Sequence, residues 1–202
     1  MIELREAFNT TLILDNNLLP NNLEIIVNIT PNMKRQKLYN KGMDRLQFYI
    51  QELLDNSFFL SSADSTKLNS IPFKAQAHLF PDQPYDHLIA MCLYVKLNSI
   101  AEDYFYIDNV TVTSTQARGV SHSFSRQDGG AENLMTIFPE EDIKKYVEYW
   151  YKPIPQFFLL DNGLKLITQS WKDVGLHYTD NENEAEIIKL IIPKKKKDKD
   201  DE

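Results

Sequence analysis

An apolar run at residues 88–95, LIAMCLYV, constrains the fold of this chain more than any other feature. Further apolar residues follow at helical spacing as far as Ala101. A helix that is apolar nearly all round has no face for water, so it belongs in the middle of a hydrophobic core. We therefore predict a central buried helix over residues 84–101, with Pro84 in its first turn and Asp82 as its capping residue.

The stretch after this helix, residues 104–113, is aromatic and β-branched and predicts a β-strand. Its alternation changes phase at Asp108 and Asn109. Two structures explain such a change: a tight turn that joins the arms YFYI and VTVT into a hairpin, or a bulge within one strand. We favour the hairpin and keep the bulge as the alternative.

The sequence before the central helix predicts two strands and a second helix. Residues 4–14 indicate a short helix or strand that runs into the strand-like TTLIL, and residues 23–29 indicate another strand. The turn-forming sequence DNNLLPNN lies between them and favours an antiparallel pair. Thr30 as a cap and Pro31 in the first position then predict the start of an amphipathic helix over residues 32–54.

The remaining chain adds shorter elements. Asn162 and Gly163, which lie between apolar strand residues, are typical of a hairpin turn. We expect an α+β fold: a mostly antiparallel sheet of about five to seven strands with about three helices, the central helix buried against the sheet. We expect residues 1–192 to form a single globular domain and residues 193–202 to form a disordered, charged, solubilising tail. The other expected elements are a strand at FFL, an extended piece over 71–80, a helix over 139–151 and a strand over 185–192.

Composition narrows the class of protein. Hydrophobic residues make up 43% and charged residues 25% of the 202-residue chain, and both values are typical of globular domains. The net charge of −7 weighs against nucleic-acid binding, which needs a basic surface. The N-terminus has no leader-like pattern, the apolar run is short for a bilayer, and the single cysteine, Cys92, cannot form an internal disulfide. We expect a soluble, intracellular, cytoplasmic protein that does not bind membranes.

The longest segment without periodicity, residues 115–133, is the best candidate for a functional loop. Arginine forks, hydroxyls and exposed backbone amides are the groups that bind a phosphate or a carboxylate. No Lys-Ser/Thr pair follows the glycines, as a Walker A loop requires, and the glycines lack the spacing of a dinucleotide fingerprint. The sequence also has no G-x-S-x-G elbow. If the loop closes on itself, its two arginines can converge on one anion. The candidate ligand-binding residues are Arg118, His122, Ser123, Ser125 and Arg126.

Three functions are compatible with these features. The first is a non-enzymatic binding or assembly protein with a protein partner, acting through its surface and the 115–133 loop. Frequent Asn and Lys with sparse Gly and Ala are typical of AT-rich genes, so a phage accessory or structural protein fits this hypothesis. The second is a phosphate-ester or nucleotide-acting enzyme with a site around His122, Arg126 and either Asp103 or Asp108. The third is a single-stranded nucleic-acid-binding protein with an acidic tail.

The sequence offers no pattern for a cofactor or a metal. Its four histidines share no spacing with one another or with Cys92 that is typical of a metal site. We therefore expect no cofactor and no metal, and we assign no catalytic residue. The aromatic helix end at residues 146–151 is expected to be mostly core, with about one or two residues, such as Tyr149, facing a partner.

Overall fold

The computed structural model describes residues 1–15, 17–64, 74–128, 148–161 and 163–177 of the chain. Within these residues the strands are β1 (Ile2–Leu14), β2 (Asn17–Pro31), β3 (Ser57–Ser61), β4 (Ala75–Phe80), β5 (Phe105–Ser114), β6 (Ser121–Ser125), β7 (Gln156–Leu160) and β8 (Leu164–Thr168). The helices are α1 (Tyr39–Phe48), α2 (Asp86–Ala101) and α3 (Glu148–Tyr151). A 3₁₀ segment (Met33–Leu38) precedes α1, a π-helical turn (Tyr49–Leu54) continues it, and another 3₁₀ turn (Arg126–Asp128) follows β6.

The eight described strands form one mixed sheet in the order β6-β5-β2-β1-β3-β4-β7-β8. β3 pairs in parallel with both β1 and β4, and the other neighbours are antiparallel. The α+β class is confirmed, but the expectation of a mostly antiparallel sheet with fewer strands needs correction. Parallel neighbours are joined by long connections rather than by tight turns, so no local turn motif in the sequence marks them.

β1 and β2 form one long antiparallel hairpin whose ladder reaches Leu14 opposite Asn17. The antiparallel pair is therefore confirmed, but the turn is much shorter than DNNLLPNN suggested. Asp15 reverses the chain with a φ of 48°, and Pro20 already pairs with Thr11 inside the ladder. Proline is compatible with a strand where the ladder does not need its missing N–H, so its turn signal was misleading here.

The first helical segment starts slightly later than predicted. Thr30 and Pro31 end β2 instead of capping a helix. The 3₁₀ segment begins after Asn32, whose side-chain Oδ1 accepts a hydrogen bond from the backbone amide two residues later, at 3.1 Å. An asparagine cap thus replaces the expected threonine cap.

α1 packs closely on the start of β5 because it contains a glycine. A Cβ at Gly42 would lie 2.5 Å from a ring carbon of Phe105 and 3.1 Å from the Cβ of Tyr104. Gly42 therefore lies within α1 at a point of close approach.

The predicted central helix is confirmed as α2, although it starts at Asp86 rather than at Pro84. It is buried almost throughout and packs against β5 and β6 on one face of the sheet and against α1 and α3. Asp82 is not its cap, because Asp82 Oδ1 accepts a hydrogen bond from the Gln83 amide. Tyr85 occupies the capping position and makes no side-chain capping bond.

β5 is one strand with a bulge. Asn28 of β2 pairs with Asn109, whereas the following residue, Ile29, pairs with Ile107, so Asp108 is the extra residue. The favoured hairpin at this position is therefore wrong, and the alternative is correct. A bulge bends the strand and changes the direction of the extra side chain, which determines where the Asp108 carboxylate lies.

The Asn-Gly hairpin is confirmed, since β7 and β8 pair antiparallel on either side of it and Gly163 has a φ of 137°. The strand predicted at FFL is β3, and the extended piece over 71–80 contains β4. Of the helix predicted over 139–151, the described part is α3. The strand predicted over 185–192 and the tail over 193–202 lie outside the described residues.

Candidate functional site

Part of the predicted functional loop is the edge strand β6, which pairs antiparallel with β5. Side chains alternate along a strand, so Ser123 and Ser125 lie on one face of the sheet and His122 lies on the other with Phe124. Phe124 packs against Tyr94 of α2, with 5.4 Å between ring centroids. The strand therefore does not present the predicted ligand-binding residues as one surface.

The two arginines of the predicted loop lie at opposite ends of β6. Arg118 is in the turn before the strand and has a φ of 53°, whereas Arg126 opens the 3₁₀ turn after it. A strand of this length spans roughly 16 Å at about 3.3 Å per residue. Because β6 is extended, the loop does not close on itself, and the expected convergence of Arg118 and Arg126 is not formed.

The residues predicted for an enzyme site also separate. Asp103 forms an ion pair with an arginine of the segment before α1, with 2.8 Å between nitrogen and oxygen. His122 lies beside His87, with ring centroids 6.0 Å apart. Arg126 and Asp108, in contrast, line the same cavity.

That cavity is a cleft of about 700 Å³ between the second half of α2, the start of β5 and the end of α3. We call it the tyrosine cleft, because Tyr94, Tyr106 and Tyr151 line it together with Asp108 and Arg126. Its size lies within the range of small-ligand and peptide sites. The neutral polar side chains around it belong to Thr30, Asn98 and Ser99.

Hydrogen bonds between β2, β5 and α2 hold the rim and floor of the tyrosine cleft. Thr30 donates its Oγ1 hydrogen to Asp108 Oδ2 over 2.6 Å, which fixes the carboxylate of the bulge residue. Asn98 of α2 accepts a hydrogen bond from the Ile107 amide at 3.3 Å and donates one to the Tyr94 carbonyl at 3.0 Å. The bulge and the helix are therefore connected directly beneath the cleft.

Among the described residues, the tyrosine cleft carries one charge of each sign. Arg126 is exposed, and it has no carboxylate partner in the part of the chain that the structure describes. Burial raises the pKa of Tyr94; Asp108 acts in the same direction and Arg126 opposes it. Burial likewise raises the pKa of Tyr151 to about 12. Both phenols are therefore neutral near pH 7, and they act as hydrogen-bonding and stacking groups rather than as bases.

A second polar cluster is sealed inside the core. His78 Nε2 donates a hydrogen bond to the Leu53 carbonyl at 2.7 Å, and His78 Nδ1 accepts one from the Tyr149 hydroxyl. Lys96 Nζ donates to the carbonyl of Tyr149 and to two carbonyls just beyond α3, at 2.9, 2.9 and 3.1 Å. The ammonium also lies over the Tyr149 ring, 5.0 Å from its centroid. These bonds attach the end of α3 to the core.

Groups of this kind are common in active sites, but their burial indicates a structural role here. His78 and Lys96 are both 0% exposed, and Tyr149 is 1% exposed. The expectation that Tyr149 faces a partner is therefore wrong. Burial lowers the pKa of His78 to about 4 and that of Lys96 to about 7. Because these side chains are almost completely buried, we assign them to stability.

Among the described residues, no three histidine, cysteine, aspartate or glutamate side chains cluster in a way that could hold a metal ion. No helix in the described ranges is long and apolar enough to cross a membrane. No protein-family model matches the chain, and no curated protein matches its sequence. The geometry of the tyrosine cleft is therefore the basis on which we infer a function.

Proposed function

We propose that this protein is a non-enzymatic binding protein that holds an acidic segment of a protein partner in the tyrosine cleft. The observation that carries the proposal is the set of side chains at one place: three tyrosines, an exposed arginine and neutral amide and hydroxyl groups. Tyrosine and arginine are enriched among the residues that dominate binding energy, because each combines a large contact area with a polar tip. In this proposal Arg126 pairs with a carboxylate of the partner.

Tyr106 and Arg126 of the cleft are exposed, which favours a role in binding a partner over a role in packing the protein's own core. Tyr106 is 54% exposed although it is a large aromatic residue. Arg126 is exposed and unpaired within the described ranges, so its guanidinium is available for a bidentate bond to a carboxylate. Asp108 is held by Thr30 at the rim and can accept a hydrogen bond from a backbone amide of the partner.

The two alternative functions have less support. The enzyme hypothesis expects His122 at one site with Arg126 and either Asp103 or Asp108, and His122 lies beside His87 instead. Single-strand nucleic-acid binding needs a basic groove with stacking aromatics. The tyrosine cleft has the aromatics, but among the described residues that line it one arginine is balanced by one aspartate.

The experiment is a selection of displayed random dodecapeptides on the immobilised protein. We expect enriched peptides to share an acidic residue next to an apolar or aromatic one. In fluorescence anisotropy, Arg126→Ala and Tyr106→Ala should each weaken binding of such a peptide by about tenfold, as is usual for hot-spot residues. Arg118→Ala is the matched control, since it removes the same exposed side chain from the other end of β6, and it should leave the affinity unchanged.

Two results would contradict the proposal. One is a set of enriched peptides that bind the Tyr106→Ala, Arg126→Ala double variant as tightly as the wild type. The other is hydrolysis of bis(p-nitrophenyl) phosphate in the presence of Mg²⁺ or Mn²⁺ that is lost on Arg126→Ala and Asp108→Asn, which would support the enzyme instead.

A further inference from the structure

A separate cavity of about 300 Å³ lies beside β6, on the face of the sheet against which α2 packs. We call it the edge pocket, and its apolar wall consists of Leu88 and Met91 of α2 and Phe124 of β6. Phe124 also contacts Tyr94 of the tyrosine cleft, with 5.4 Å between ring centroids. The edge pocket and the tyrosine cleft are therefore neighbours, lined by successive turns of α2.

β6 is an edge strand of the sheet that the described residues form. Backbone groups of an antiparallel strand point alternately toward its neighbour and away from it. The Ser125 amide donates a hydrogen bond to Asp128 Oδ2 at 2.8 Å, so it points away from β5. The N–H and C=O of Ser123, two residues earlier, therefore also point away from β5, toward the outer edge of the sheet.

The lining of the edge pocket agrees with this orientation. His122, Ser123 and Phe124 all line it, although consecutive side chains of a strand point to opposite faces. The Ser123 hydroxyl lies on the other face of the sheet, where it accepts a hydrogen bond from Thr111 Oγ1 at 3.0 Å. Ser123 therefore lines the edge pocket with its backbone.

Outward N–H and C=O groups of an edge strand are the groups with which a further strand pairs. We propose that the acidic segment of the partner binds as an added β-strand along β6. This inference rests on the proposed function, because the same segment carries the carboxylate that pairs with Arg126. The backbone of the added strand bonds to the N–H and C=O of Ser123, and one of its apolar side chains fills the edge pocket.

Strand geometry determines the spacing of the side chains that the partner needs. Phe124 and Arg126 are two residues apart on one face, since Phe124 contacts Tyr94 and Arg126 lines the tyrosine cleft with it. Residues of the added strand that share this face also recur at every second position. The apolar residue in the edge pocket is therefore two or four positions from the acid that pairs with Arg126.

The charges along β6 favour an acidic partner segment over a second copy of this chain. Asp82 lines the edge pocket, so it repels a carboxylate there and leaves Arg126 as the place for the acid. A second copy that paired through its own β6 would bring the sequence SHSFS, which has no acidic residue for Arg126.

The experiment is a backbone scan of the tightest-binding dodecapeptide from the displayed library, measured by fluorescence anisotropy with the full-length protein. Replacing one peptide amide at a time by an ester removes one N–H and keeps every side chain. We expect alternate esters to weaken binding about fivefold and the intervening esters to leave it nearly unchanged. An alanine scan of the peptide should find an apolar residue two or four positions from the acid whose loss weakens binding about tenfold.

Variants of β6 connect the binding to its outer edge. Ser123→Pro removes the outward N–H, which an edge strand tolerates, and it should weaken the peptide at least about tenfold. Ser123→Ala is the matched control, because it keeps the backbone and should bind the peptide like the wild type. If Ser123→Pro fails to fold, the ester scan still decides, since it leaves the protein unchanged.

The outcomes separate this inference from the proposed function. Affinity that is lost on Arg126→Ala but shows no alternation among the esters would overturn the added strand and leave the proposed function intact. Alternating ester effects with an Arg126→Ala protein that binds like the wild type would support the added strand and contradict the proposed function. A protein that sediments as a dimer, and as a monomer after Ser123→Pro, would overturn the proposal and assign the edge to a second copy.

Discussion

Protonation of His78 is expected to make this protein sensitive to acid. The ring is fully buried between the Leu53 carbonyl and the Tyr149 hydroxyl, and burial lowers its pKa from 6.5 to about 4. In the unfolded chain the same ring binds a proton at its ordinary pKa. The unfolded state therefore binds more protons between these two pH values, and the free energy of unfolding falls as the pH is lowered through this range.

The size of the effect follows from the two pKa values. Their difference corresponds to about 3 kcal/mol of unfolding free energy, which is a large part of the stability of an ordinary domain. The stabilisation is fully present above pH 6.5, is lost progressively below it, and levels off below about pH 4. Because the side chain is 0% exposed, solvent does not screen this term.

The assay is urea unfolding followed by tryptophan fluorescence, at several pH values between 7.5 and 4. His78→Gln is expected to be less stable than the wild type at pH 7.5. Between pH 7.5 and pH 4, however, its free energy of unfolding should fall by about 3 kcal/mol less than that of the wild type. His177→Gln removes an exposed histidine and should keep the wild-type slope. Parallel pH profiles for the wild type and His78→Gln would refute this reasoning.

Three further substitutions test the packing. Gly42→Ala should lower the thermal midpoint although alanine favours helix by about 1 kcal/mol, because the new Cβ would lie 2.5 Å from the Phe105 ring; a higher midpoint would contradict the close approach. Lys96→Met should lower the free energy of unfolding in urea by about 3 kcal/mol, because three carbonyls lose their donor; wild-type stability would mean that water replaces the ammonium. Leu93→Asp should abolish folding because that position is 0% exposed; a soluble variant that melts cooperatively would show that α2 is not the core helix.

The elements that could be predicted from the sequence are those with a strong local pattern. α2 was found because an apolar run without a polar face has one stable location. The β7–β8 hairpin was found because the Asn-Gly pair favours a tight turn. Patterns of this kind state what a segment is, but they do not state which segments become neighbours. The parallel pairings of β3 with β1 and β4 depend on which segments become neighbours, so the local sequence patterns did not predict them.

Two of the incorrect predictions have a more specific cause. The change of phase at Asp108 shows that the strand is irregular, but a turn and a bulge produce the same pattern, and only the pairing with β2 decides between them. β6 has the sequence SHSFS, which lacks the β-branched run of a typical strand. Its pairing with β5 includes hydroxyl contacts such as Thr113 with Ser121 at 2.6 Å, and polar sequence alone does not indicate such contacts.

The candidate site was only partly visible in the sequence. Arg126 and Asp108 were both named as candidates, but their convergence depends on the reversal between β5 and β6 and on the bulge. Tyr94 and Tyr151 lie in segments that the sequence predicts to be mostly core, and Tyr106 lies in a predicted strand. Lys96 did carry a usable signal, since a lysine within a helix that is apolar nearly all round must be buried and must find acceptors.

The most direct test of the tyrosine cleft as the binding surface is a double-mutant cycle between Arg126 and the acidic residue of a selected peptide. We predict that Arg126→Ala and the peptide's acid-to-alanine change each weaken binding about tenfold. The two changes together should weaken it little more than either alone, which corresponds to a coupling of about 1 kcal/mol or more. Additive losses, or an Arg126→Ala protein that binds the peptide as tightly as the wild type, would contradict the proposed function.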